Sequence, residues 1–223
     1  MKKTTHYLLE FRLSGSARKY VKDIVFDVAR KFDVSGVTRN RVVPHVTMIG
    51  PIKTIYEKKL IHEIIETCMK YDLMTIKFSG FTSFGNWLRG NRVLAIKIEQ
   101  SNELELLRSE LLGKLSGFCQ LYKFDTRKWK PHATIAFKDI NKKFGQIKTY
   151  LENRSCPEIH HYVLRITLLK NARILCEYDF LQQRTLTRLE ALNRETKKIT
   201  ITLLKKRLAK RNIGGNDGED LRS

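Results

Sequence analysis

Two short stretches of this chain carry residues suited to acid–base chemistry. They are Pro44-His45-Val46-Thr47-Met48-Ile49 and Pro131-His132-Ala133-Thr134-Ile135-Ala136. The chain has four prolines and six histidines, yet two of the prolines stand directly before two of the histidines. Each Pro-His pair runs on through an apolar residue to Thr. The surroundings are apolar and β-branched, so each stretch reads as the start of a strand. Proline fits at a strand's first residue, where its missing N–H costs no ladder hydrogen bond. Alternation puts His45 with Thr47, and His132 with Thr134, on one face, while Val46, Met48, Ala133 and Ile135 turn toward the core. Side by side, the two strands would bring two imidazoles and two hydroxyls into one small space. Imidazole titrates near neutral pH, so one ring can take a proton while the other gives one. Flanking a phosphoryl group, such a pair could run a displacement at phosphorus, with the hydroxyls holding the non-bridging oxygens. This arrangement calls for no metal, because histidines supply the protons and hydroxyls the anion binding.

The two His-x-Thr motifs lie 87 positions apart (132 − 45). Together they resemble those of the 2H phosphoesterase superfamily, in particular its LigT-like branch, the 2′-5′ RNA ligase and RNA 2′,3′-cyclic phosphodiesterase family. The likeness spans about residues 4–181. It implies an RNA partner with a 2′,3′-cyclic phosphate end, opened to a 2′-phosphate without a cofactor, and a 2′-5′ RNA ligase activity alongside. It also implies His45 as the general acid and His132 as the general base. Many members of that family carry Arg shortly after the second motif, where this chain has Lys138. Arg41, Lys130 and Lys138 bring positive charge to the motifs and are candidate substrate contacts. Tyr7, Phe11, Trp87 and Trp129 are aromatic candidates for stacking on a base, although core packing or loop anchoring is the more expected role of each. Tyr7 and Trp129 are taken as candidate substrate contacts.

Composition agrees with a polyanion partner. Lys and Arg number 43 against 23 Asp and Glu, a net charge of +20, which suits nucleic acid. A rival reading of a different class is a basic RNA-binding module whose histidines are structural. A pure binder, however, needs neither the duplicated His nor the duplicated Thr. Cys68, Cys119, Cys156 and Cys176 form no C-x-x-C pair, so reduced thiols in a cytoplasmic protein are expected. No signal-like apolar region follows Met1, and no stretch reads as a membrane span. The oligomeric state is left open.

The elements around the motifs alternate in kind. Strands are expected at 6–13, 73–84, 92–99, 162–170 and 173–181, beside the two motif strands. Amphipathic helices are expected at 17–32, 54–71, from Ser101 to Gly117, and at 144–151. Ser101 is the expected N-cap, and Asn171-Ala172 a tight turn. This order predicts an α+β fold of two duplicated lobes, with antiparallel sheets flanking a central cleft and helices outside. Residues 1–181 would form that unit. Residues 182–211, with ten Lys or Arg and two Glu, would form a basic helical extension, although Ile199-Thr200-Ile201-Thr202 has strand character. Residues 212–223 are polar and Gly-rich and are expected to be disordered.

Other chemistry is less well supported. His62-Glu63-Ile64-Ile65-Glu66 lacks the second His of a zinc-protease helix. His160 and His161 are adjacent, so a strand would point them to opposite faces. The chain has no G-x-x-x-x-G-K-[ST] loop and no K-x-D-G motif, so ATP-driven joining is not supported.

Overall fold

The computed structural model describes residues 5–38, 42–86, 91–123, 125 and 127–214. Hydrophobic alternation in the first segment forms β1 (Thr5–Arg12), and the 3.6-residue period that follows forms α1 (Gly15–Phe32). Next come β2 (His45–Thr54), α2 (Glu57–Cys68), β3 (Met74–Asn86), β4 (Asn91–Gln100), α3 (Asn102–Ser116), β5 (His132–Phe137) and α4 (Phe144–Glu152). The chain closes with β6 (His160–Val163), β7 (Arg165–Lys170), β8 (Arg173–Asp179), β9 (Arg184–Thr187), α5 (Arg188–Leu192) and α6 (Arg194–Gly214).

The strands form two antiparallel sheets, in the orders β2-β1-β7-β8-β9 and β5-β4-β3-β6. Each motif strand is the end strand of its sheet, and β2 and β5 lie against each other. This is the expected α+β architecture of two sheets about a central cleft, but its lobes are not successive halves of the chain. The first and last strands build one sheet, and the middle strands build the other. The strand expected over 162–170 therefore splits. β6 pairs with β3 and β7 with β1, and the crossing point is Leu164, whose carbonyl accepts from the Phe180 amide at 3.1 Å. Apolar alternation continues on both sides of the crossing, so nothing local marks the change of sheet.

The helices bury the faces that their periodicity names. Val21, Ile24, Val25 and Val28 of α1 are buried, and α1 packs on β5. Ser101 caps α3, its hydroxyl accepting from the Leu104 amide, and α2 packs on α3. Asn171 and Ala172 both have positive φ (48° and 63°), the backbone of a two-residue hairpin link that follows strand twist.

Beyond Leu181, β9 adds a fifth strand to the first sheet, and Thr187 and Glu190 close a capping box on α5. Ile199-Thr200-Ile201-Thr202 is helical, inside α6. Thr196 and Thr200, four residues apart and therefore on one side of α6, are buried against the sheet. There Arg165 donates to the Asp179 carboxylate (2.7 Å), to the Thr200 hydroxyl (2.7 Å) and to the Thr196 carbonyl (3.3 Å). A buried charge is tolerated only when paired and hydrogen-bonded, and α6 supplies part of that pairing. Residues 215–223 of the expected tail lie outside the described residues. Among the described residues no helix is long and apolar enough to cross a membrane.

Candidate active site

The two motif strands place their residues as alternation requires. Val46 and Met48 are buried to 0% and 1%, and Ala133 and Ile135 to 0% and 1%, while the His and Thr between them are half-buried. The rings are anchored in the same way. His45 Nδ1 lies 2.8 Å from the Val43 carbonyl, and His132 Nδ1 lies 2.9 Å from the Lys130 carbonyl, each two residues upstream. A carbonyl only accepts, so Nδ1 carries a proton in both rings, and Nε2 is the nitrogen that this anchor leaves available in each.

The surroundings of the two rings differ. Phe84 of β3 packs on His132, ring centroids 4.6 Å apart. Burial holds the His132 imidazole below its usual pKa, the hydrogen bond to Lys130 opposes this, and the charge of His45 lowers it further. The two rings stand on β2 and β5, which lie against each other. His45 instead faces a carboxylate, its Nε2 lying 3.8 Å from Glu10 Oε2 on β1. Among the described residues no carboxylate pairs with His132.

Helix α3 and the segment from it to β5 hold the two strands together by satisfying the free edge of β2. The Trp129 indole N–H donates to the Thr47 carbonyl (3.2 Å), and Arg108 Nε donates to the Met48 carbonyl (2.8 Å). Asp125 Oδ2 accepts from the Gly50 amide (3.1 Å), and Gln120 and Lys53 exchange backbone bonds at 2.9 Å. Arg108 and Asp125 are themselves a buried pair, NH2 to Oδ1 3.5 Å. Burial pushes the Asp125 carboxyl up and the Arg108 guanidinium down. The second motif strand thus arrives already pinned to the first.

The model of the 2′-5′ RNA ligase superfamily matches residues 15–174, which include both motif strands. The chain belongs to this superfamily. Solved structures similar to it include Kluyveromyces marxianus Usb1 with uridine monophosphate, at 11% identity over 83% of this chain and 98% of that one, TM-score 0.47. Escherichia coli LigT complexed with 3′-AMP is 15% identical over 82% of this chain and 94% of that one, TM-score 0.45. A crystal structure described as a phosphoesterase is 15% identical over 83% and 94%, TM-score 0.45. No curated protein matches the sequence.

Within the superfamily frame, the remaining candidates sort by exposure. Lys130 and Lys138 are exposed at the two ends of β5, and the Lys138 ammonium lies 4.8 Å from the centre of the Phe137 ring. Arg41 and Trp87 lie outside the described residues. Tyr7 and Trp129 need correction as stacking residues. Tyr7 is 3% exposed and its hydroxyl donates to Glu57 at 2.7 Å; burial, with that hydrogen bond, pushes the phenol up to about 12. Trp129 is 9% exposed, spends its N–H on Thr47, and has the Arg108 guanidinium 5.3 Å from its ring centre. Neither presents a free ring face. His160 is exposed beside Glu158, and His161 is buried on the opposite face.

Several residues of the site escaped the sequence reading. Glu10 and Arg12 stand at alternate positions of an otherwise apolar strand, a signal that was available. Arg108 falls on the apolar side of α3, between Leu104 and Leu111, and a charge in such a stripe marks a buried partner. Phe84 carries no local mark, because its meeting with His132 depends on the β3–β4–β5 pairing.

Proposed function

We propose that this protein hydrolyses RNA 2′,3′-cyclic phosphate ends to 2′-phosphates by a metal-independent two-histidine displacement. His132, kept neutral by its burial, takes a proton from the attacking water as a P–O bond forms. The P–O3′ bond breaks on the far side, and His45 gives its proton to the departing 3′ oxygen. Thr47 and Thr134 hold the non-bridging oxygens, with Lys130 and Lys138 supplying positive charge nearby. If a 5′-hydroxyl replaces water, the same steps join two ends through a 2′-5′ linkage. The observation that carries this reading is the unequal setting of two rings anchored alike: His45 lies beside the Glu10 carboxylate, while burial of His132 favours its neutral, base form. Membership of the superfamily supports the substrate class. The catalytic unit would comprise residues 1–181, with 182–211 as its basic extension. The four free thiols suit a cytoplasmic setting.

The test is phosphorus NMR of an oligonucleotide 2′,3′-cyclic phosphate incubated with the protein, with and without EDTA. The cyclic signal should give way to a 2′-phosphomonoester at the same rate in both. A 3′-phosphate product would reverse the assignment of acid and base, and absence of turnover would leave the binding-module reading.

A further inference from the structure

β1 contributes two charged residues to the cleft that no motif predicts. Arg12 is the cross-strand neighbour of His45, and Glu10 stands two residues earlier on the same strand face. Glu10 is 2% exposed. It divides its oxygens between two partners: Arg12 Nε lies 2.9 Å from Oε1, and His45 Nε2 lies 3.8 Å from Oε2. One carboxylate therefore brings a guanidinium and a working imidazole together.

The bond to Glu10 uses one of the five N–H groups of Arg12. The terminal amino groups have no hydrogen-bond partner among the described residues, and the side chain is 29% exposed. A guanidinium fixed at Nε presents its outer edge as a fork that matches two oxygens of a phosphate.

A second observation also points to an anion. Lys197 of α6 lies within electrostatic reach of Arg12, of Arg165 and of Arg18 on α1. Burial holds its ammonium below the usual range; Glu177 opposes this, and repulsion from the three arginines adds to it. Arg165 is already paired with Glu177 and Asp179, which leaves Arg12 and Lys197 as like charges within reach of each other. Crowding like charges costs energy that a bound anion returns.

We propose that Arg12, aimed by Glu10, binds the phosphate that occupies the space between His45 and His132, and that Glu10 acts as its positioning residue. The choice of the transferred phosphate rests on the function proposed above; anion binding by Arg12 does not.

The experiment titrates the full chain with inorganic phosphate, read from the imidazole proton resonances of His45 and His132. The variants are R12A, R12K and E10Q. A charge-assisted fork contributes enough that R12A should weaken phosphate binding about tenfold or more. R12K keeps the charge that Glu10 needs but loses the fork, and should recover only part of the loss. E10Q keeps Arg12 but loosens its aim, and should fall between R12A and wild type. Kinetics on a mononucleotide 2′,3′-cyclic phosphate, which has no flanking phosphate, should show the same order in kcat/KM. If R12A and R12K bind phosphate as wild type does, Arg12 is only the counter-ion of Glu10, and the proposal is overturned. A wild-type protein that binds phosphate at the histidines, loses it in R12A and never turns over the cyclic ester sinks the proposed reaction but leaves the role of Arg12 standing.

Discussion

The strands that begin at His45 and His132 share a pattern and a ring anchor, but their neighbours differ. His45 sits at the edge of the five-stranded sheet with a buried carboxylate and a guanidinium beside it. His132 sits at the edge of the four-stranded sheet against an aromatic ring, and burial lowers its pKa. The motif determines where each nitrogen points. The strands next door determine what it meets, a carboxylate for His45 and an aromatic ring for His132. Two copies of one tetrapeptide can therefore take opposite parts in a single reaction.

The largest effects should come from removing either ring. His45→Ala and His132→Ala should each lower kcat on a 2′,3′-cyclic phosphate by roughly 10²–10⁴, the usual worth of a proton-transfer group. If one of them left the rate untouched, the division of labour would be wrong. Next in size is the scaffold that joins the two strands. Arg108→Ala leaves Asp125 buried under β2 without its cation, and should cost on the order of 3–5 kcal/mol in urea unfolding. A loss near zero would mean that the edge of β2 is held by other means. Smaller again are the hydroxyls: Thr47→Ala and Thr134→Ala should each slow turnover by roughly 10²-fold, mostly in kcat, the low end of what loss of one anion-holding donor costs.

The smallest effect is the most specific to the comparison. Burial depresses the His132 pKa, so the ring is neutral, and the base active, down to a pH below its ordinary titration near 6.5. Phe84→Ala would uncover the ring and let its pKa rise toward that value. The acid limb of the kcat/KM–pH profile should then move to higher pH, costing a few-fold in rate near pH 6 and little at pH 8. A limb that stays in place would show that Phe84 is not what desolvates His132.

Much of this was legible in the sequence. Pro-His-x-Thr placed both motif strands and the faces of their side chains. Ser101 capped its helix, and Asn171-Ala172 turned the chain. The split at Leu164 was not legible, because strand period is the same in either sheet. Trp129 was ambiguous, because an aromatic residue between Lys128 and Lys130 can either stack on a base or anchor the segment. In the fold the same alternation sends the lysines out and the indole in, where its N–H is needed by the Thr47 carbonyl. β9 and α5 were hidden by the composition of the segment after Gln182, whose charge dominates any short pattern.

The covering of β2's outer edge also sets a timetable. Its partners are distant in sequence: Arg108 reaches back 60 residues to Met48, Asp125 reaches back 75 to Gly50, and Trp129 reaches back 82 to Thr47. Contacts of such range form only after the closure of long loops, so they lag behind local helices and hairpins. A chain leaving the ribosome would hold the first motif complete, yet with the Thr47 carbonyl lacking its partner, until Trp129 had been made. Pulse-labelled hydrogen exchange should accordingly find the Gly50 amide protected after those of α1 and α3.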